Sequence, residues 1–458
     1  MNKIYDVLII GAGPAGIMAA IKLQDSGLSI LLLDDSFSLG GQIYKNVQNN
    51  QNEKNTKLFG PEYSKGYELI NKLDLEKIEY LPNASIWSID KESKVYFSHE
   101  GKSQRIIANK IIIAVGSQER PFTLEGWDKP GVLTATSAQI MLKESSIIKD
   151  DAVFVGSGPL FYYVISQYID AGAKIKAIID TTPRENYIMA LKYLPKALKK
   201  VGMLLKGLGF LLKFRKHNIK VYQFAKNIKF EGNETLESIS FNDKENINTK
   251  LAFIHNGLVP NINLQLQAQC DYEYSHKKRS IDIKVDKYYQ SSVPNIFVLG
   301  DGQSIKGVEV ALIEAEVAAA KILYDFKKLS KQSLTDECKQ LDKKLKDVSS
   351  IRDFLDTLYR PSSETVIPQN KDVIVCRCEE VKKSDILNSI KIDQKGLNTI
   401  KSFTRCGMGN CQGRFCGLTL LEIMAKETKQ PIEEISYLNI RSPIRPVRIS
   451  ELTQLKIN

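Results

Sequence analysis

Five cysteines lie C-terminal to residue 370: Cys376 and Cys378 as Cys-Arg-Cys, then Cys406, Cys411 and Cys416 in the run TRCGMGNCQGRFC. Only Cys270 and Cys338 lie upstream, single and far apart, and are expected to be buried inert thiols. The start MNKIYDVLII runs straight into a strand pattern, without the apolar stretch and small-residue cleavage site of a secretion signal. In that setting dense thiols read as ligands of a metal or iron–sulfur centre rather than as structural disulfides. A [2Fe–2S] centre needs four such ligands, and five are present. A four-thiolate zinc site is the competing reading, but structural zinc prefers knuckles with two to four residues between cysteines, which Cys-Arg-Cys fits less well.

The other end of the chain carries Gly11-Ala-Gly13-Pro14-Ala15-Gly16 between a strand pattern and a helix pattern. Gly11 permits the tight turn, Gly13 lets the backbone approach a pyrophosphate, and Gly16 lets helix and strand pack closely. The helix N-terminus then offers free N–H groups to phosphate. Asp34 follows at the end of the next strand, where a carboxylate accepts from ribose hydroxyls. A second loop, Gly156-Ser-Gly158-Pro-Leu-Phe161, has Phe at the third position, which is expected to push or tilt its helix. Asp180 ends its following strand, so NAD suits this loop better than NADP, with ATP or no ligand as alternatives.

The elements that must position these groups follow the same grammar twice. Strands are expected at 6–10 and 29–33 around a helix reaching about residue 26, and again at 152–155 and 174–179. The fold class is therefore α/β, with two doubly wound dinucleotide-binding domains and a small C-terminal cysteine domain. The expected boundaries are 1–130 with 270–325 for the first domain, 131–269 for the inserted second, 326–370 for a connector, 371–430 for the cysteine domain and 431–458 for a tail. Residues 46–57 read as an exposed loop and 328–346 as an exposed helical connector.

The chain has 458 residues, 43% of them hydrophobic, and a formal charge of +11. That is room for two to four packed domains. No run is apolar enough to cross a membrane, and a cytoplasmic location is expected, peripheral attachment at an inner membrane being the alternative. Much of the charge lies between Lys192 and Lys220, among apolar residues at helical spacing. The plain expectation is the solvated face of a helix packed on its own domain; the sharper one is a helix on an anionic membrane or a partner. Gly202, Gly207 and Gly209 argue against one long helix. No nucleic-acid-binding module accompanies the charge.

Further motifs give a family resemblance. Gly40-Gly41-Gln42, the run IIIAVGSQERP with Gly116, and NIFVLGDGQ with Gly300 and Asp301 resemble the flavin side of the two-dinucleotide-domain flavoproteins, the glutathione- and thioredoxin-reductase-like enzymes. The resemblance implies FAD on the first domain, with Asp301 on the ribityl chain. Unlike the disulfide reductases, the stretch after Gly41-Gln42 holds no cysteine, so dithiol chemistry at the flavin is not expected. The spacing C-x-C, 32 residues, C-x4-C resembles the bacterioferritin-associated-ferredoxin-like [2Fe–2S] domain. This implies Cys376, Cys378, Cys411 and Cys416 as ligands, with Cys406 left over. Gly407, Gly409, Gly413 and Gly417 would bring backbone N–H groups to the sulfurs.

With HNGLVPN, CRCEE and the tail RSPIRPV, nearly the whole chain is similar to the FAD/NAD-domain subunits of heteromeric amine-oxidising dehydrogenases, the opine oxidase, hydrogen cyanide synthase, sarcosine oxidase and proline dehydrogenase group. This implies an electron-transferring subunit beside a second, D-amino-acid-oxidase-like flavoprotein that binds the amine. The alternatives are a stand-alone NAD(P)H-dependent reductase and an ATP-binding scaffold. Of the four histidines, His255 alone falls where it could approach a cofactor, and a structural role is expected for it. No general acid or base is assigned.

Overall fold

The computed structural model describes residues 4–455 except 91, 395 and 454. Residues 1–3 and 456–458, the outer ends of the expected first domain and tail, lie outside it.

Strand β1 (Ile4–Ile10) is almost wholly apolar, and its last four residues are buried, as a central parallel strand requires. Helix α1 (Pro14–Leu23) starts on a proline, where the missing N–H costs nothing. β2 (Ile30–Leu33) returns parallel to β1, with Val7 opposite Ile30 and Ile10 opposite Leu33. β3 (Glu79–Leu81) extends the sheet beyond β2. β4 (Ser85–Ile89), β5 (Lys94–His99) and β6 (Lys102–Ile113) form an antiparallel meander, and the second half of β6 runs parallel to β1. The strand Ile296–Val298 then pairs with Ile111–Ile113, about 180 residues later in sequence. A five-stranded parallel sheet is built from the chain between, in the order 220–222, 175–180, 152–156, 252–255, 132–134. A mixed sheet with a parallel centre and a wholly parallel sheet inserted into it are the expected α/β class. The antiparallel pair Ser117–Glu119 with Leu258–Pro260 joins the outgoing and returning connections.

The cysteine segment packs on the first sheet. It comprises a hairpin of Ile374–Cys376 with Val381–Lys382 and the helices Lys383–Ile392, Leu397–Thr404 and Gly417–Thr428. Ile386, Ile400 and Leu420 share one continuous core with Leu8, Leu31 and Ile111. Arg279 crosses this seam to Glu422 through two hydrogen bonds of 3.0 and 2.6 Å, both side chains nearly inaccessible. The Tyr274 hydroxyl also donates to Glu422.

Two expectations change. Residues 46–57 are not simply an exposed loop: Asn50 is buried and donates to Tyr63 Oη and to the Lys143 carbonyl, and a helix begins at Glu53. The connector is the expected, mostly exposed helix, Lys331–Val348, anchored by buried Leu334 and Leu341. The basic segment does form a sixteen-residue helix, Val201–Lys216, straight through its three glycines. A Cβ at any of them would meet nothing within 4 Å, so they face open space and cost only propensity. Within it only Phe214 is buried.

Removing one partner of a buried ion pair strands the other charge. Arg279→Met should lower unfolding stability by about 3–5 kcal/mol, and the double variant Arg279→Met/Glu422→Leu should recover most of that loss in denaturant titration.

Candidate functional site

A cavity of about 360 Å³ opens at the C-terminal ends of β1, β2 and β6. Gly11, Gly13, Pro14, Ala15, Asp34, Gly41, Gln42, Gly116, Gly300 and Asp301, all proposed from sequence, line it together. Gly16 lies behind it: a Cβ there would stand 1.8 Å from the Gly11 carbonyl oxygen, so helix and turn touch backbone to backbone. Gly13 and Gly116 are open, with no atom closer than 3.9 Å to a Cβ on either, leaving the backbone accessible to a ligand. Asp34 accepts from the N–H groups of Ala12 and Ser36, which fixes its carboxylate at the cavity wall. Burial pushes its pKa up, while those N–H groups pull the other way. Asp301 accepts from the Lys306 and Gly307 N–H groups at 2.9 and 3.0 Å, closing the turn that faces the helix starting at Val308. Buried Glu314 braces that turn by accepting from the Gly300 N–H and pairing with Lys306 at 2.8 Å. Glycine turns, a helix N-terminus and a ribose-facing carboxylate fit a dinucleotide.

The second loop differs. Gly156 has φ of +149° and lies against the His255 backbone, so only glycine fits. Phe161 is fully buried and packs on Phe154 and on the His255 ring, with its ring nearly parallel to the imidazole. The third position of this loop therefore fills space that Gly16 leaves to backbone contact in the first. Asp180 accepts from Tyr162 Oη at 2.6 Å and from the Thr182 N–H at 2.8 Å. His255 is buried, bonded to Glu119, and its ring lies 3.8 Å from where a Gly158 Cβ would stand. A second cavity of about 360 Å³ lies beyond this strand end, lined by Thr181, Phe224 and Lys226 but not by Gly156, Gly158 or Asp180.

The thiols form two groups. The sulfurs of Cys376, Cys406 and Cys416 all lie within 4.8 Å of one another. Thiolates on one tetrahedral ion, each about 2.3 Å from it, stand about 3.8 Å apart. Cys406, left over in the spacing pattern, is thus one of the inner three. Cys378 is exposed and meets Cys411, and a Cβ on Gly409 would stand 2.3 Å from the Cys378 Cβ. Hydrogen bonds from Cys406 and Cys416, with the Gly407 and Glu379 N–H groups, hold Cys376 down to about 2. Cys416 is pushed well above the usual thiol range by that same neighbour. Burial raises Cys411, although the Phe415 and Gly413 N–H groups point at its sulfur. Gly407 and Gly413 adopt φ of +88° and +78°, which favours glycine.

The two sites share a wall. Arg414, between Cys411 and Cys416, lines the first cavity, as do Ile444 and Arg445 of the tail. The Arg414 carbonyl accepts from Gln118 at 2.7 Å, and the Gln412 carbonyl accepts from Asn263 at 3.0 Å. Arg445 pairs with Asp35 at 2.5 Å. Sequence patterns did not single out these arginines, although both lie inside runs that carry the family resemblance. Lys143 was also missed. It is buried and donates to the carbonyls of Gln42 and Ile43 at 3.2 and 2.8 Å, holding the turn that carries Gln42. Desolvation pulls its pKa down to about 7.

A glycine-turn cavity on a doubly wound sheet, with a second parallel sheet inserted, defines a flavin-dependent oxidoreductase. Residues 5–315 match the family described as pyridine nucleotide-disulphide oxidoreductase, and residues 370–454 match the sarcosine oxidase A3 domain. The chain is 35% identical to one of the opine oxidase A subunits of Rhizobium meliloti, covering 99% of this chain and 88% of that one. It is 24% identical to hydrogen cyanide synthase subunit HcnB of Pseudomonas protegens over 97% and 96% of the two chains. The structure of L-proline dehydrogenase from P. horikoshii superposes with a TM-score of 0.73 at 23% identity, over 98% of this chain and 80% of that one. The chain belongs to the pyridine nucleotide-disulphide oxidoreductase family, in the group of the opine oxidase A subunits.

Below pH 7 Lys143 carries its proton both folded and unfolded. Between about 7 and the ordinary 10.5 only the unfolded chain holds it, so the cost of burying this lysine fades as pH rises. Relative to Lys143→Met, the wild type should gain up to about 1.4 kcal/mol of unfolding stability per pH unit across that window. A pH-independent difference in denaturation would contradict the assignment.

Proposed function

We propose that this chain is the electron-transferring subunit of a heteromeric dehydrogenase or oxidase acting on a secondary amine or amino acid of the opine, sarcosine, proline or hydroxyproline type. The names of its relatives support the substrate class, and their being subunits of larger enzymes supports a partner. In this reading FAD lies in the first cavity, on Gly11, Gly13, Asp34, Gly41, Gln42, Gly116 and Asp301. A [2Fe–2S] cluster is held by Cys376, Cys378, Cys411 and Cys416, with Cys406 as a fifth thiol beside them. When bound, a flavin supplies two-electron exchange with an organic donor and the cluster supplies one-electron exchange. The single observation that carries the reading is Arg414: it lines the nucleotide cavity and is two residues from Cys416, a backbone reach of about 7 Å at most.

The chain's own residues position these groups and exclude water. Cys376, Cys406 and Cys416 are buried under the core they share with the first sheet. N–H groups aimed at Cys376 and Cys411 favour added negative charge on the sulfurs and raise a cluster's potential. Amine oxidation belongs to the partner, a second flavoprotein of D-amino-acid-oxidase type. A stand-alone NADH reductase would need a dinucleotide on the second loop, where Phe161 replaces the third glycine and Tyr162 Oη occupies Asp180. For the second domain we propose NAD or ATP in a role other than hydride transfer.

Anaerobic purification with the co-expressed neighbouring subunit should yield flavin absorbance with about two irons and two sulfides per chain. Zinc in place of iron removes the relay. Arg414→Gln should weaken flavin retention about ten- to hundred-fold, the worth of a lost charge-assisted hydrogen bond, with iron content unchanged.

A further inference from the structure

Between Glu185 and Glu231 there is no acidic residue, while eleven lysines and arginines fall there. The chain's net charge is +11, so the rest of the molecule sums to zero. The helix Val201–Lys216 lies in this stretch, and unlike an ordinary surface helix it is apolar on both sides: Phe214 is buried on the inner one. Its inner side is partly polar. Lys206 reaches Glu62 at 2.9 Å, Lys213 reaches Asp170 at 2.7 Å, and Phe210 packs on Tyr163. Its outer side is apolar. Val201, Leu205, Leu208 and Leu212 follow the i, i+4, i+7, i+11 stripe, each more than half exposed, with Leu205 at 60% and Leu212 at 67%. Ile188, Leu191 and Leu198 on the preceding turns are exposed as well. Arg215 and Lys216 border the stripe at its C-terminal end. With Lys192 and Lys199 they are exposed and form no ion pair among the described residues.

A contiguous apolar patch ringed by cations is costly in water and marks a docking surface. We propose that this helix lies in the headgroup layer of an anionic lipid bilayer, with the leucine stripe toward the acyl chains and the free cations on lipid phosphates. A protein partner would be expected to offer carboxylates to pair with these cations; a bilayer offers both the apolar bed and a uniform negative surface. Acids from outside the stretch pair with Lys196, Lys200, Lys206, Lys213 and Lys229, and the cations beside the stripe that are unpaired among the described residues, Lys192, Lys199, Arg215 and Lys216, suit a sheet of negative charge. No helix among the described residues is long and apolar enough to cross a membrane, so attachment is peripheral. The surface lies on the second nucleotide domain, and this inference does not depend on the proposed cofactors.

The test is sedimentation of the full chain, alone and with its co-purifying subunit, with vesicles of phosphatidylcholine containing about one-third phosphatidylglycerol. Both preparations should bind, about ten-fold less at 0.5 M salt and about ten-fold less to pure phosphatidylcholine. Leu205→Glu/Leu208→Glu/Leu212→Glu should abolish binding with flavin absorbance and iron content unchanged. Lys199→Glu/Arg215→Glu/Lys216→Glu should remove the preference for phosphatidylglycerol. Failure of the wild type to bind, equal binding by the leucine variant, or binding by the isolated chain but not the assembly would each overturn the proposal. Loss of a subunit or of a second copy from the leucine variant would overturn it too, assigning the stripe to a protein interface.

Discussion

Burial of Glu422 against Arg279 and Tyr274 ties the thiol-bearing segment to the nucleotide-binding sheet, and the spatial relation of the two candidate sites rests on it. A carboxylate and a guanidinium removed from water at this seam tolerate little sliding, because each must keep its hydrogen bonds in a medium of low polarity. The surrounding apolar contacts are non-directional and would allow neighbouring arrangements. Direction comes from the ion pair and from two side-chain amides: Gln118 holds the Arg414 carbonyl, and Asn263 holds the Gln412 carbonyl. Together they fix the loop between Cys411 and Cys416 at the mouth of the first cavity.

The duplicated loops show how one residue separates two uses of the same turn. In the first, Gly16 allows backbone contact with Gly11, and the helix N-terminus comes down onto the cavity. In the second, Phe161 occupies that place and is accommodated by Phe154 and His255 in the core. His255 is in turn held by Glu119, whose other oxygen accepts from Thr136. The charged and polar groups under the second loop are therefore engaged in holding structure, and the cavity nearest its strand end is displaced toward Thr181 and Lys226.

Much of the first site was legible in the chain because its grammar is local. Strand, turn, helix and closing acid fall within Ile4–Asp34, and the glycines report backbone approach directly. Asp301 was legible through its strand-end motif. Arg414, Arg445 and Lys143 were not, because each reaches its place only through tertiary packing; nothing in the spacing of Lys143 reveals that it will cap the carbonyls of Gln42 and Ile43. Cys406, spare in the ligand spacing, lies beside Cys376 and Cys416, a closeness that counting residues along the chain does not reveal. The left-handed Arg405 and Gly407 (φ +62° and +88°) turn the backbone between them so that Cys406 faces Cys376 and Cys416. The helix Val201–Lys216 was misjudged for a related reason. Its periodicity was plain, but periodicity does not say which face turns inward, and here Lys206, Lys213 and Phe214 set the inner face.

The distribution of charge completes the division of labour. Buried ionisable groups such as Asp34, Glu314, Lys143 and Arg120 all bond to backbone groups, with Glu314 also on Lys306 and Lys143 on Gln139. Asp34 and Asp301 line the first cavity, each carboxylate held by backbone N–H groups. Side chains anchored this way orient a bound group rigidly. Cations unpaired among the described residues, Lys192, Lys199, Arg215 and Lys216, are exposed on the inserted domain, where they bear on location and partners.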